Sequence, residues 1–484
     1  MIHSQKGVSF MKKILALILC LSTVIAMMAI AAPVSYARII EDDFGPNGEY
    51  RYEYDYVKSF TNPKNDHCYL TISINEGVDC DGILPNYESP ELLPWIADIQ
   101  ATIYSSVQKV TVDEGIKNIP DFAFSRCSKL TEINLPSTIT TIGKQAFENV
   151  PAVSVSLPDS VDTIAKYAFR YSAIEEITVP AAMTVIGDSA FECMPYLKKV
   201  NMNNNVTEIG EFAFANDQQL TDIELPTALV TLKANAFRRC VLIDHFSIPA
   251  TLTSIGENAF KYCKALTSLA IPEGIEVIPE GLVYGCESLA QVSLPSTVTE
   301  IEKEAFYACS ALTALDIPDA VSKIGMRAFG KCSALKTIAI PEGVTNLNNY
   351  LFYECKALES VTLPSTVTSI GKGAFYACES LASLELPASV KSVGSDCFYE
   401  CKALSSINIP ASVSNIGKYA FCRCFDLTTI EIPSASTLIG KYAYGYFYTK
   451  DEGFKVSDTS TIKGVANSTA NEYANNIGIK FIAK

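Results

Sequence analysis

Ten cysteines, Cys127, Cys240, Cys263, Cys286, Cys309, Cys332, Cys355, Cys378, Cys401 and Cys424, stand three residues after the phenylalanine position of a repeated unit. Thiols at such spacing can form disulfides, hold a metal or act as nucleophiles. One sulfur per turn puts neighbouring Cα atoms about 5 Å apart, within disulfide reach. Yet from Cys240 to Cys424 each inner member has two equivalent neighbours, so the spacing specifies no pairing. The column has no Cys-x-x-Cys pair and no accompanying histidine, the usual marks of a zinc site. It reads as free, buried thiols, since cysteine is small, weakly polar and at home in a core. Bridging of some pairs is the alternative. Cys68 and Cys80, outside the repeats, are the expected disulfide.

Other chemistry is sparse. Beyond residue 37 the only histidines are His67 and His245, too few for a local triad or a two-histidine metal site. No Gly-x-Ser-x-Gly, His-Glu-x-x-His or phosphate-binding glycine loop occurs. Asp79-Cys80-Asp81-Gly82 and Asp42-Asp43 near Asn47 carry calcium-type ligands, but short acidic turns of this kind ordinarily cap loops. Glu175 and Glu176 read as solvated side chains and not as a glycosidase pair. The expectation is a protein that is not an enzyme, with no catalytic residue, cofactor or metal.

The elements that carry the cysteines repeat. Prolines at 136, 158, 180, 226 and onward to 433 keep a 23-residue phase, with two 22-residue steps, and Asp113 and Asn203 hold the same phase. One unit runs Leu312-Thr-Ala-Leu315-Asp-Ile317-Pro318-Asp-Ala-Val321-Ser-Lys-Ile324-Gly325-Met-Arg-Ala328-Phe329-Gly-Lys-Cys332. Leu315 and Ile317 alternate with polar residues, which predicts a short strand, and Pro318 ends its ladder for want of an amide hydrogen. Val321, Ile324 and Ala328-Phe329 then return at helical spacing, which predicts a turn of 3₁₀- or α-helix on the opposite wall. The glycine after each Ile (Gly143, Gly187, Gly325 and others) marks a tight corner and not a left-handed backbone, because Pro120 and Pro279 occupy the same slot. No such unit can bury its apolar face alone, so the units must stack in a solenoid of about fifteen turns.

Composition sets the surroundings. Lys12-Lys13, the apolar run Ile14 to Ile30 and Ser35-Tyr36-Ala37 read as an export leader cleaved after Ala37, with a membrane anchor as the alternative; the run is short for a spanning helix. Loss of Lys6, Lys12 and Lys13 from 38 basic residues leaves 35 against 53 acidic, a net of −18. So acidic a surface repels phosphate, and nucleic acid is not an expected partner. No membrane span is expected after cleavage. The expected organisation is residues 1–37 leader, 38–109 N-terminal cap, 110–433 solenoid and 434–484 C-terminal cap. In the first cap Tyr50, Tyr52, Tyr54 and Tyr56 alternate, followed by Tyr69 to Ile74 and by Pro94-Trp95. In the last, Thr461 to Phe481 reads as strand, short helix, strand, with Ser468 capping the helix.

The unit Leu-x-x-Ile-x-Ile-Pro-x-x-Val-x-x-Ile-Gly-x-x-Ala-Phe-x-x-Cys resembles the repeat of the BspA-type leucine-rich repeat proteins, a bacterial secreted and cell-surface family, over roughly 325 of 484 residues. The resemblance implies a horseshoe-like α/β leucine-rich-repeat solenoid, a parallel strand plus a short helical turn per repeat, used for adhesion to host, matrix or other cells. It implies no catalytic residue and names no ligand. The chain carries no wall-sorting motif or basic tail after the repeats, so it is expected to be secreted or held at the surface by non-covalent contacts, and monomeric.

Two surfaces are candidates for a partner. The outward strand positions are small and neutral to acidic, with Glu132, Glu176, Asp222 and Glu224 towards the N-terminal part. Tyr284, Tyr307, Tyr353, Tyr376 and Tyr399 recur just after the Phe, with Gly330 interrupting them; they either shield the thiols or form a recognition strip for an extracellular protein. The alternatives to protein binding are a carbohydrate-interacting accessory protein or enzyme, and a structural surface spacer.

Overall fold

The computed structural model describes residues 35–44, 49–59, 67–74, 80–86, 105–449 and 453–484. The leader up to residue 34, Pro94-Trp95, Asp79 and Asn47 lie outside them. Strand β1 (Ser35–Phe44) pairs antiparallel with β2 (Tyr50–Ser59), and β2 antiparallel with β3 (His67–Ile74). Then β3 pairs parallel with β4 (Lys109–Val112), and from there every step is parallel.

Two ladders of short strands run along the solenoid. The first passes through Glu132–Asn134, Glu176–Thr178, Lys199–Asn201 and onward to Thr429–Ile432, with neighbours paired 23 residues apart, as Lys199 with Asp222. Its middle residue is buried and the flanking two face outward, which is the alternation that Leu315 and Ile317 predict. The second holds two-residue strands such as Thr141–Ile142, Thr231–Leu232 and Ser369–Ile370. Thr461–Gly464 and Lys480–Ala483 extend the first ladder at the C-terminal end. Between them lies the one α-helix of the described residues, α1 (Thr469–Ile477), where Ser468 accepts the Asn471 amide at 3.2 Å as its sequence position predicts.

The expected helical turn on the second wall is not there, so the α/β assignment is corrected to a parallel-strand solenoid with very little helix. The arm that carries Phe and Cys is instead a run of turns in which two residues per coil are left-handed. In the coil around Phe352 these are Tyr350 (φ 59°) and Glu354 (φ 56°). The amides of Tyr350, Phe352 and Glu354 donate to Lys372, Ala374 and Tyr376 of the next coil, each at 2.7 Å, while those of Leu351, Tyr353 and Cys355 donate three residues back. An α-helix would spend every amide inside its own turn. Here alternate amides point along the solenoid and build a third ladder, which offsets the cost of left-handed non-glycine residues, of order 1–3 kcal/mol each.

The glycines after Ile are not left-handed, in agreement with the tight-corner reading. They are small because coils approach there: a Cβ on Gly143 would sit 2.6 Å from the Asp121 amide nitrogen.

Within the core, phenylalanines stack from Phe306 to Phe421 with ring centroids 5.2–5.8 Å apart. Beside them run the thiols. Fifteen described cysteines are free, and all ten column members are buried. The nine from Cys240 to Cys424 each donate Sγ–H to the carbonyl of the Phe position one coil back, as Cys355 to Phe329 at 3.0 Å and Cys309 to Val283 at 3.3 Å. Each such carbonyl also accepts the cysteine amide of its own coil, so both of its lone pairs are used. Cys68 and Cys80 are also free, which corrects the expected disulfide: Cys68 is buried in β3, while Cys80 is partly exposed.

Asp217 occupies the same column one step before Cys240. It is fully buried, its Oδ1 accepts the Met194 amide at 2.7 Å, and its Oδ2 has no partner. Burial pushes its carboxyl well above the usual carboxylate range.

Two outcomes are expected. Burial holds the column thiols protonated, with Cys332 pushed up to about 12; native protein should alkylate slowly and denatured protein fast. A raised thiol pKa favours the fold only while the thiol is protonated, so thermal stability should be full below about pH 8.5 and fall as pH rises above it; melting scans from pH 7 to 11 read this directly. Replacing Asp217 by the repeat's own residue, Asp217→Cys, removes a carboxyl that folding would otherwise hold neutral. Because the folded pKa is the higher one, the cost of Asp217 grows as pH rises above about 4, so the gain in melting temperature from Asp217→Cys should be larger at pH 7 than at pH 4.

Candidate functional site

The left-handed residues decide which side chains of the arm reach the surface. Ala and Phe between them point into the core, while the residue after Phe and the two left-handed positions turn outward. Where those positions are aromatic, rings stack along the solenoid at the coil spacing. Tyr284 and Tyr307 lie 4.8 Å apart, Tyr353 and Tyr376 5.2 Å, and Tyr376 and Tyr399 5.0 Å, with planes within 30° of parallel. All five are half-buried. Gly330 interrupts the column, and a Cβ there would be 2.9 Å from ring carbons of Tyr307.

The ridge is longer than the five tyrosines. Tyr262 meets Tyr284 edge-on at 5.3 Å, Tyr350 meets Tyr353 edge-on at 5.8 Å, and Tyr419, Tyr442 and Phe454 stack further on at 4.6–5.4 Å. These rings escape a search at a single register because they sit two residues before or after the Phe, on the left-handed positions. The signal that would find them is an aromatic at either of those offsets.

Charges are interleaved with the rings. Lys261 lies over Tyr284 at 4.3 Å, and Lys418 and Lys441 lie over Tyr419 and Tyr442 at 4.7 Å. Opposite charges pair one coil apart, as Arg423 with Glu400 at 2.6 Å and Lys264 with Glu287 at 2.8 Å. Burial pushes the Tyr284 and Tyr376 hydroxyls up to about 12, and a hydrogen bond to Glu354 raises Tyr353, so all three remain proton donors at neutral pH.

The acidic strand positions form a different surface. Glu132, Glu176, Asp222 and Glu224 are all exposed on the first ladder. Glu132 bonds Lys109 at 2.7 Å, which lowers its pKa, Asp222 pairs with Lys199 at 3.3 Å, and Glu176 accepts from Asn201 at 2.7 Å. Three of the four are thus answered by neighbouring coils. His245 is exposed beside Asp244 at 2.6 Å and lies several ladder steps from His67 in β3, so the two histidines are not brought together. Asp81 accepts the Ile83 amide at 2.9 Å as a loop cap, and among the described residues no group of three or more His, Cys, Asp and Glu is placed to hold a metal. No helix of the described residues is long and apolar enough to cross a membrane.

The BspA type leucine rich repeat region matches in six copies, over residues 100–221, 207–336, 255–370 and 322–451. Among solved structures, a leucine-rich repeat protein from Bacteroides ovatus is 24% identical, covers 90% of this chain and 99% of its own, and superposes with a TM-score of 0.59, which shows the same fold. A leucine rich cell surface protein from Faecalibacterium prausnitzii is 22% identical over 85% of this chain and 96% of its own, at a TM-score of 0.30. The pneumococcal vaccine antigen PcpA is 19% identical over 92% and 98%, at 0.40. A comparison with curated proteins finds no match.

The stacked rings contribute to stability as well as surface. Tyr353→Ser with Tyr376→Ser removes both stacking contacts of the Tyr353, Tyr376 and Tyr399 run, at about 0.5–1.5 kcal/mol each beyond the lost burial. We expect a clear fall in the denaturation midpoint with cooperativity retained, read by circular dichroism in urea.

Proposed function

This chain belongs to the BspA-type leucine-rich repeat family, and from that premise we propose that it is an exported, surface-associated binding protein that holds an extracellular protein partner in adhesion through the tyrosine ridge. The observation that carries the reading is the stack itself: tyrosines held at 4.8–5.2 Å by their neighbours, half-exposed and interleaved with Lys, Arg and Glu. Tyr and Arg dominate interface energetics, and rings already fixed in place have little rotamer freedom to lose on binding. The faces of stacked rings are covered by the rings above and below. Edges and hydroxyls are what remain, which suits a protein surface better than a sugar ring that needs an open face. Residues 1–37 would direct export, and retention would be non-covalent. A repeat scaffold with two separated histidines supplies no catalytic constellation, so we propose no enzymatic activity.

The test is capture from matrix and cell-surface extracts with the mature chain as bait, followed by affinity measurement on the partner recovered. Tyr353→Ser with Tyr376→Ser should weaken binding by about 2 kcal/mol or more, roughly thirtyfold, in the folded fraction. Glu132→Gln, Glu176→Gln, Asp222→Asn and Glu224→Gln together should leave it unchanged. The reverse pattern would move the site to the strand face.

A further inference from the structure

The second strand ladder is interrupted between Lys323–Ile324 and Asn346–Leu347, which belong to different sheets although they are one coil apart. In flanking coils the ladder is closed: Gly325 N–H reaches Ile301 O at 2.7 Å, Gly371 N–H reaches Leu347 O at 2.8 Å, and Thr368 N–H reaches Thr345 O at 2.8 Å. A comparable interruption before Val277–Ile278 has a simple cause, because Pro279 stands in the donor slot and has no amide hydrogen. At the present break the slot is held by Asn348, which has a backbone N–H but does not use it on Ile324. Its side-chain Nδ2 takes that carbonyl instead, at 2.6 Å, and among the described residues the amides of Thr345 and Asn348 have no partner within the chain.

The parted coils open a cavity of about 420 Å³, within the range of small-ligand sites. Its wall is polar and carries no aromatic ring. Glu300 and Lys323 line it as an ion pair at 3.3 Å and neutralise each other. Asn346 is fixed by three neighbours, donating to Thr345 Oγ1 and accepting from Ser369 and Thr368. A wall with fixed carboxamides, hydroxyls and unpaired backbone amides side by side, and no uncompensated charge, offers donors and acceptors together. Sugar hydroxyls, each a donor and an acceptor, match that pattern; a phosphate or carboxylate would want a free cation.

We propose that this cleft is a binding site for a neutral glycan segment of one or two sugar rings, separate from the tyrosine ridge. The mature chain is applied to an array of neutral, sialylated and sulfated oligosaccharides, and the strongest neutral binder is titrated calorimetrically. Asn346→Ala removes the fixed carboxamide. Asn348→Gly installs the residue used by most coils and frees the backbone amide to close the ladder. Binding of neutral glycans by the native chain is expected, with each variant weaker by tenfold or more at an unchanged melting temperature, and with Tyr353→Ser, Tyr376→Ser binding as the native chain does. The proposal is overturned by absence of neutral-glycan binding, by preference for anionic glycans, by undiminished binding in either cleft variant, or by loss of glycan binding in the tyrosine variant.

Discussion

Everything in this molecule depends on hydrogen bonding between residues one coil apart. Three separate columns of backbone amides, two of short strands and one of turns, all close at the same 23-residue offset. A slip of one residue in any coil would break all three at once and turn buried residues outward, so register is over-determined. The same offset pairs side chains: Lys198 with Glu175, Lys402 with Glu379 and Ser137 with Glu114 are each 23 residues apart. Exposed ion pairs of this kind contribute little singly, but they agree with the register that the backbone sets.

The thiol column follows from that register. A buried carbonyl at the Phe position has one lone pair left after its own coil is satisfied, and a group one coil later must supply a hydrogen. Cysteine does so without the desolvation cost of a hydroxyl or amide, because sulfur is only weakly polar. Nine successive donors of this type make the cysteines structural, each held by a carbonyl and not by another sulfur. Asp217 shows what happens when another polar group takes the slot. One oxygen finds the Met194 amide and the other is orphaned.

Function is then a matter of where the repeat is allowed to vary. Positions facing the core repeat closely, while the residue after Phe, the two left-handed positions and the slot after Ile change from coil to coil. The first three build the aromatic ridge. The last, occupied by Asn348, opens the polar cleft. Both candidate sites are therefore local departures laid on one invariant frame, on different sides of the coil.

Much of this was legible in the residues themselves. The proline phase and the Leu315, Ile317 alternation dictate a parallel solenoid, because no unit of 23 residues can bury its own apolar face. Pro120 and Pro279 dictate that the glycine corner is not left-handed. The cysteine spacing dictates a column too equivalent to pair. What the tertiary structure alone decided is the path of the arm. The spacing of Val321, Ile324 and Phe329 suits a helix as well as it suits stacked turns, and periodicity records only which residues face inward. Whether an amide bonds within its own turn or to the next coil depends on the neighbour's presence, and the neighbour is supplied by stacking. The same holds for Cys68 and Cys80, whose separation in space no spacing encodes, for Tyr262 and Tyr350, which join the ridge only because left-handed residues turn them outward, and for the cleft at Asn348, which exists only where two coils fail to close.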